Sequence, residues 1–280
     1  SKYKKTSKGV VVSKPKDNTT PSDLWKKRHV LNSHGVETRI DGFTDSDSLN
    51  IKNTLSEEML DVDIIQPPQT DNVEKYYSTE DYIPKKYTKT QRSCNSNEVQ
   101  IKFDNAEYCI LQNETALVLR QEGLYGELPT ELNQLTQLES IDLYGNYLTG
   151  NISTLFSMTN LRHIFLPWNQ FTGSLEGIGN LVNLEALNIA HNYGFDSIPP
   201  DIDYCQNLQL LRIDAMNCNT TMEDFIERTC YLPQLEVITA VNSGLSGEIP
   251  SLFGNYQNLK YFDVEINPYV TGELPDEIYD

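Results

Sequence analysis

Residues 138–192 read Leu138-x-x-Ile141-x-Leu143-x-x-Asn146-x-Leu148-x-Gly150, then Leu161-x-x-Ile164-x-Leu166-x-x-Asn169-x-Phe171-x-Gly173, then Leu184-x-x-Leu187-x-Ile189-x-x-Asn192. The three starts, Leu138, Leu161 and Leu184, lie 23 residues apart. A fixed period of this length marks an array in which each unit buries its apolar face on the next. Counting from the first Leu of each unit, positions 1, 4, 6 and 11 are apolar and position 9 is Asn. A coil turns inward at that point and leaves backbone groups of its neighbour unpaired, and a buried Asn amide can satisfy them. A run of amphipathic helices would account for the apolar residues. It would not put Asn at a single phase of the period.

The register extends both ways. Position 1 falls on Glu114, Leu138, Leu161, Leu184, Leu208, Leu235 and Leu259, with spacings of 24, 23, 23, 24, 27 and 24 residues. We number these coils one to seven and expect a short strand at positions 3–5 of each, giving seven parallel strands on one concave face. A second signature follows the Asn: Leu124-Tyr-Gly126-Glu-Leu128-Pro129, Leu148-Thr-Gly150-Asn-Ile152, Leu245-Ser-Gly247-Glu-Ile249-Pro250 and Val270-Thr-Gly272-Glu-Leu274-Pro275. With both half-motifs in register, residues 94–280 resemble the plant-type leucine-rich repeat, whose consensus continues L-x-G-x-I-P. That class includes plant receptor-kinase ectodomains and polygalacturonase-inhibiting proteins, with related extracellular proteins in algae. The resemblance implies an α/β solenoid: a right-handed superhelix with a parallel concave sheet and a second small sheet beside it. It names no ligand.

Three coils depart from the pattern. Glu122, Met216 and Ser243 stand at position 9 of coils one, five and six, and Cys218 replaces the Leu that follows in coil five. Coil five is also the longest, with Asn219-Thr-Thr-Met-Glu-Asp-Phe225-Ile226 where the second signature should be. There Thr221 is expected to cap a helix that turns Phe225 and Ile226 inward.

Charge divides the chain near Cys94. Residues 1–93 hold 16 Lys+Arg and 14 Asp+Glu, a net of +2, whereas residues 94–280 hold 6 and 26, a net of −20. The repeat part would repel phosphate, which argues against nucleic acid. It suits a cationic partner, or simply a well-solvated surface. No apolar run approaches the roughly 20 residues that cross a bilayer. The sequence begins at Ser1 without a Met or signal peptide, so we expect a mature product or a fragment.

Residues 1–93 are read as a polar, extended or disordered arm. Short helices are expected at Asp23–Leu31 behind Ser22 and after Ser56 at Glu57-Glu58-Met59-Leu60, and Pro67-Pro68 would stop regular structure. Tyr76-Tyr77-Ser78-Thr79-Glu80-Asp81-Tyr82 sets tyrosines beside carboxylates, as in sulfated segments; the plainer reading is tyrosines anchoring the arm on another surface. The arm would wrap its own solenoid, where its lysines meet acidic coils, or lie on a partner chain.

Residues 94–113 alternate apolar and polar through Val99, Ile101 and Phe103, turn at Asp104-Asn105, and resume at Tyr108 and Ile110. That is a hairpin by the period-two rule. Cys94 and Cys109 flank it, and a disulfide between them would contribute roughly 3 kcal/mol by loop closure. This hairpin would cap the apolar face of the first coil, leaving residues 114–280 for the repeats. Cys205 and Cys230, near the ends of consecutive coils, are expected to stack and bond, leaving Cys218 as a buried apolar residue; Cys218–Cys230 is the competing pair. No closing cap is legible before Asp280, so we expect a continuation of the chain or a partner over that end. Sequons at Asn18, Asn113, Asn151 and Asn219 sit at expected loops or coil edges. With the cysteines they point to the secretory pathway, extracellular or lumenal.

The sequence carries no phosphate-binding Gly loop, zinc-ligand spacing or nucleophile elbow, so we expect no enzyme, metal or cofactor. Positions 3, 5, 7 and 8 should face out of the concave sheet. They give Tyr144, His163, Phe165, Trp168, Asn188, His191, Arg212 and Asp214 as the candidate ligand-binding set, with Phe165 and Trp168 as aromatic anchors. The expected function is recognition of a protein or peptide on this face, as a secreted protein or receptor ectodomain. The alternative is a structural subunit whose arm wraps neighbouring chains in a larger assembly.

Overall fold

The computed structural model describes residues 5–6, 9–13, 87–90 and 92–272. The two helices and the tyrosine-rich segment expected before residue 87, the Asn18 sequon, and Leu274-Pro275 lie outside the described residues.

Each coil contributes one three-residue strand at positions 3–5, as the register requires: Ala116–Val118, Ser140–Asp142, His163–Phe165, Ala186–Asn188, Leu210–Arg212, Val237–Thr239 and Tyr261–Asp263. All seven pair in parallel, in chain order and without slippage. The fold is a leucine-rich-repeat solenoid. Its core lies between this sheet and the short 3-10 turns on the opposite side. Leu138, Ile141, Leu143 and Leu148, at positions 1, 4, 6 and 11 of coil two, are at most 1% exposed, and later coils repeat the pattern.

The asparagines tie coil to coil. Asn146 Nδ2 donates to Leu143 O of its own coil at 2.9 Å and to Leu119 O of the preceding one at 2.8 Å, while its Oδ1 accepts from Leu124 N at 3.0 Å. Asn169 and Asn192 repeat the arrangement, and Asn267 restores it in coil seven. A second asparagine row, on the residue before position 1, runs along the outer flank. Asn160, Asn183, Asn207 and Asn258 each donate to a carbonyl one coil back, at 2.8, 3.0, 2.9 and 2.6 Å.

Where position 9 departs from Asn, the bonding is redistributed. Met216 is fully buried and bonds nothing through its side chain, so coil five is held from its neighbour. Ser243 Oγ reaches back to Ile213 O at 2.7 Å, and Cys218 N donates to Ser243 O at 2.8 Å. The insertion of coil five forms the helix Met222–Thr229. Thr221 accepts from Asp224 N at its start, and Phe225 and Ile226 are buried.

That helix also breaks the second sheet. Four parallel strands from coils one to four (Tyr125–Gly126, Tyr147–Gly150, Gln170–Gly173, Gly194–Phe195) stand apart from the pair Ser246–Glu248 and Tyr269–Thr271 of coils six and seven.

The hairpin pairs Glu98–Phe103 with Ala106–Leu111, and Val99, Ile101, Phe103, Tyr108 and Ile110 are buried against coil one. Cys94 and Cys109 are bonded, with their Cα atoms 5.4 Å apart. Cys205, Cys218 and Cys230 are free thiols, which corrects both expected pairings. Each turns to a different neighbour: Cys205 Sγ to Ile178 O, Cys218 Sγ to Ser243 O, and Cys230 to the Asn255 side chain. Burial pushes the Cys205 thiol up to about 12 and Cys218 to about 11, so neither is a ready nucleophile.

Candidate functional site: the concave face

Strand alternation sends position 4 of each coil into the core and positions 3 and 5 to the concave side. The backbone then leaves the strand in one recurring way. Position 8 is left-handed in all seven coils: Gln121, Gly145, Trp168, His191, Ala215, Asn242 and Ile266 have φ between 52° and 69°. Its amide is pinned to the next coil, for example Trp168 N to Ala190 O at 3.0 Å and His191 N to Asp214 O at 2.7 Å. Only glycine or asparagine adopts this region cheaply, so Trp and His here are held by the scaffold against about 1–2 kcal/mol each.

Trp168 and His191 occupy adjacent coils at this position. Their rings stack at 4.0 Å and 17°, and Trp168 remains 43% exposed. Burial lowers the His191 pKa, against an opposing pull from Asp214. On the strand that leads to Trp168, His163 and Phe165 lie with ring centroids 6.1 Å apart. Burial likewise lowers the His163 pKa, although Glu185 Oε2 is 3.5 Å from its Nε2. The same Glu185 is bonded by Arg162. Both imidazoles are thereby biased to the neutral form.

The eight candidate residues separate into two kinds. Tyr144, His163, Phe165, Trp168, His191 and Arg212 keep exposed or partly exposed surface. Asn188 and Asp214 are each only 5% exposed, which corrects the expectation that they face outward freely. Asn188 Oδ1 accepts from Ala190 N, bracing the turn to His191. Asp214 accepts from Arg212 Nε at 2.5 Å, from Thr239 Oγ1 at 3.0 Å and from Val241 N at 2.9 Å. A short polar side chain at position 5 or 7 lies close enough to the next turn to bond its backbone. Asp142 does the same with Tyr144 N while pairing with Arg120.

The register also hid an apolar stripe. Ala186, Leu210, Val237 and Tyr261, at position 3 of coils four to seven, form a buried cluster separate from the main core, with Phe165 packed against it. The signal was present in Ala186-Leu187, Leu210-Leu211 and Val237-Ile238: two apolar residues in a row where the core needs one. At the end of the stripe Tyr261 donates to Asp263 Oδ2 at 2.9 Å. Burial raises the Asp263 carboxyl to about 6, although Glu265 N donates to it.

Residues 137–158, one repeat unit, match the family model described as Leucine Rich Repeat. Receptor-like protein 39 of Arabidopsis thaliana is 28% identical over 170 residues, which is 61% of this chain and 16% of that protein. The chain thus spans about a sixth of the length of that curated relative. Among solved structures, the ectodomain of the plant membrane receptor kinase GASSHO1/SCHENGEN3 from Arabidopsis thaliana is 25% identical, covering 53% of this chain and 20% of that one at a TM-score of 0.42. Pollen Receptor Kinase 3 is 21% identical, covering 58% and 77% at a TM-score of 0.49. Seven in-register strands, the position-9 asparagines, the second strand behind them and the matched repeat unit make the fold a leucine-rich-repeat solenoid, similar in sequence to a plant receptor-like protein.

Proposed function

We propose that the chain is a non-enzymatic interaction module that binds a protein or peptide on its concave face between Tyr144 and Asp214. The observation that carries this reading is the Trp168–His191 stack. An exposed indole is held in a left-handed conformation on a rigid sheet, where a smaller residue would cost less. Large aromatics fixed before binding lose little entropy on contact and serve as interface anchors. The net of −20 across residues 94–280 favours a cationic partner surface. Asn188 and Asp214 enter this site as braces for His191 and Arg212.

We place the protein in the secretory pathway or outside the cell, as a secreted recognition protein or part of a receptor ectodomain. The Cys94–Cys109 bond and exposed sequons at Asn113, Asn151 and Asn219 support that placement, as does the receptor-like relative. The test is native purification with mass spectrometry of what co-purifies, then direct binding of that partner to Phe165→Ala and Trp168→Ala chains. At least about a tenfold loss with an intact fold is expected of a hot-spot residue. Undiminished binding to both variants refutes the site.

A further inference from the structure

The two ends of the concave sheet are closed differently. At coil one, the hairpin covers the core, and the residues leading into it are fastened: Tyr87 Oη donates to Ala116 O at 2.8 Å and Thr90 N to Glu107 O at 2.8 Å. At coil seven, Tyr261–Asp263 is the last parallel strand among the described residues. Left alone it would offer a row of unpaired amides and carbonyls, and the final coil would expose its apolar side. Residues 9–13 lie on that edge instead. They pair antiparallel, with Ser13 opposite Tyr261, Val12 opposite Phe262 and Val11 opposite Asp263, and Lys5–Thr6 folds back beside Gly9–Val10. Tyr261, Phe262 and Asp263 are only 3%, 2% and 8% exposed, low for a strand with a bare edge.

We propose that Tyr261–Asp263 is a strand acceptor and that its occupant is the chain's own Gly9–Ser13, which covers the free edge of the concave sheet at coil seven. The segment suits the task in composition. Among residues 1–20, Val10-Val11-Val12 is the only apolar run, and β-branched side chains favour strands. It suits the task in charge as well. Lys8 and Lys14 flank the run in sequence, and Asp263 and Glu265 belong to the acceptor coil. Reach is ample. Coil one and coil seven are about 30 Å apart at one strand spacing per coil. The 73 residues from 14 to 86 join the two fastened ends, and that length of chain spans such a gap many times over. A tethered strand also meets its acceptor at an effective concentration near millimolar, far above that of a second chain in dilute solution.

The test uses the whole chain. Hydrogen exchange, corrected for intrinsic rates, should show the amides of residues 10–13 at least about tenfold slower than those of residues 1–4. Equal rates overturn the proposal. A Ser13→Cys, Tyr261→Cys pair places two thiols on opposed residues and should close a disulfide within a monomer. The buried thiols of Cys205, Cys218 and Cys230, all raised by burial, compete poorly. The same bond formed between two molecules gives the edge to a second copy and overturns self-closure. Val12→Pro leaves every coil residue in place, and should speed exchange at Phe262, opposite Val12, by about tenfold or more through loss of the paired edge. Unchanged exchange there overturns the proposal even if the cysteine pair fails to fold.

Discussion

Coils two to four and coils five to six solve the same problem differently. In the first group one Asn per coil satisfies three backbone groups across two coils, and the second strand follows in register. In the second group Met216 leaves that role vacant, Ser243 takes up part of it from the next coil, and a helix replaces the second strand of coil five. The solenoid continues unbroken through both on the concave side. The parallel strands and buried Leu positions therefore suffice to propagate the array. The asparagines add stability and shape the outer side.

Five measurements probe that contrast. Asn169→Ala orphans Leu148 N and removes donors from Leu143 O and Leu166 O, all buried. We expect a loss of about 3–5 kcal/mol in denaturant unfolding, the largest single effect. A loss under about 1 kcal/mol would show that the ladder merely decorates the strands. The second concerns pH. Asp263 binds its proton more tightly folded than unfolded, with a pKa of about 6 against 3.8. The folded state thus holds more protons between those values, and stability falls as pH rises through them, by up to about 3 kcal/mol. The lowered histidines act in the opposite sense, so the comparison to make is wild type against Asp263→Asn, whose unfolding should be flatter from pH 4 to 6.

Ser243→Ala comes third. It strands Ile213 O and should cost about 1–2 kcal/mol, less than Asn169→Ala because one bond takes the place of three. Thr221→Ala removes the helix cap and should lower stability by about 1 kcal/mol, with loss of helical circular dichroism. The smallest effect is a gain. Ile266 is β-branched at φ 57° and 40% exposed, so Ile266→Asn should raise stability by about 0.5–1 kcal/mol. No gain in melting temperature would mean that the left-handed row stores less strain than its dihedrals imply.

Much of this was legible. The 23-residue period located every concave strand, since core burial recurs at fixed phase and leaves the register no freedom. The Thr221 cap and the buried Phe225 and Ile226 were legible for the same local reasons. Four things were not. The outer row at Asn160, Asn183, Asn207 and Asn258 looked like ordinary surface residues, because exposed Asn has no signature until a carbonyl one coil back faces it. The left-handed row was hidden because only Gly145 and Asn242 among its seven members advertise the conformation. Asn188 and Asp214 counted as display residues by phase, but short side chains at those phases reach the next turn and are drawn into the framework. The thiols, similarly, have neighbours in space that spacing along the chain does not rank.

The left-handed row acts as a ruler. Its marks are one coil apart, about 4.8 Å, and the first six are each locked by an amide bond to the following coil. An extended peptide lying across the coils advances about 3.3 Å per residue, so three residues match two coils and only every second mark falls in step with it. A long ligand cannot use every mark equally. On the proposed function, the mark that carries stacked rings, Trp168 on His191, is the anchor such a ligand would meet.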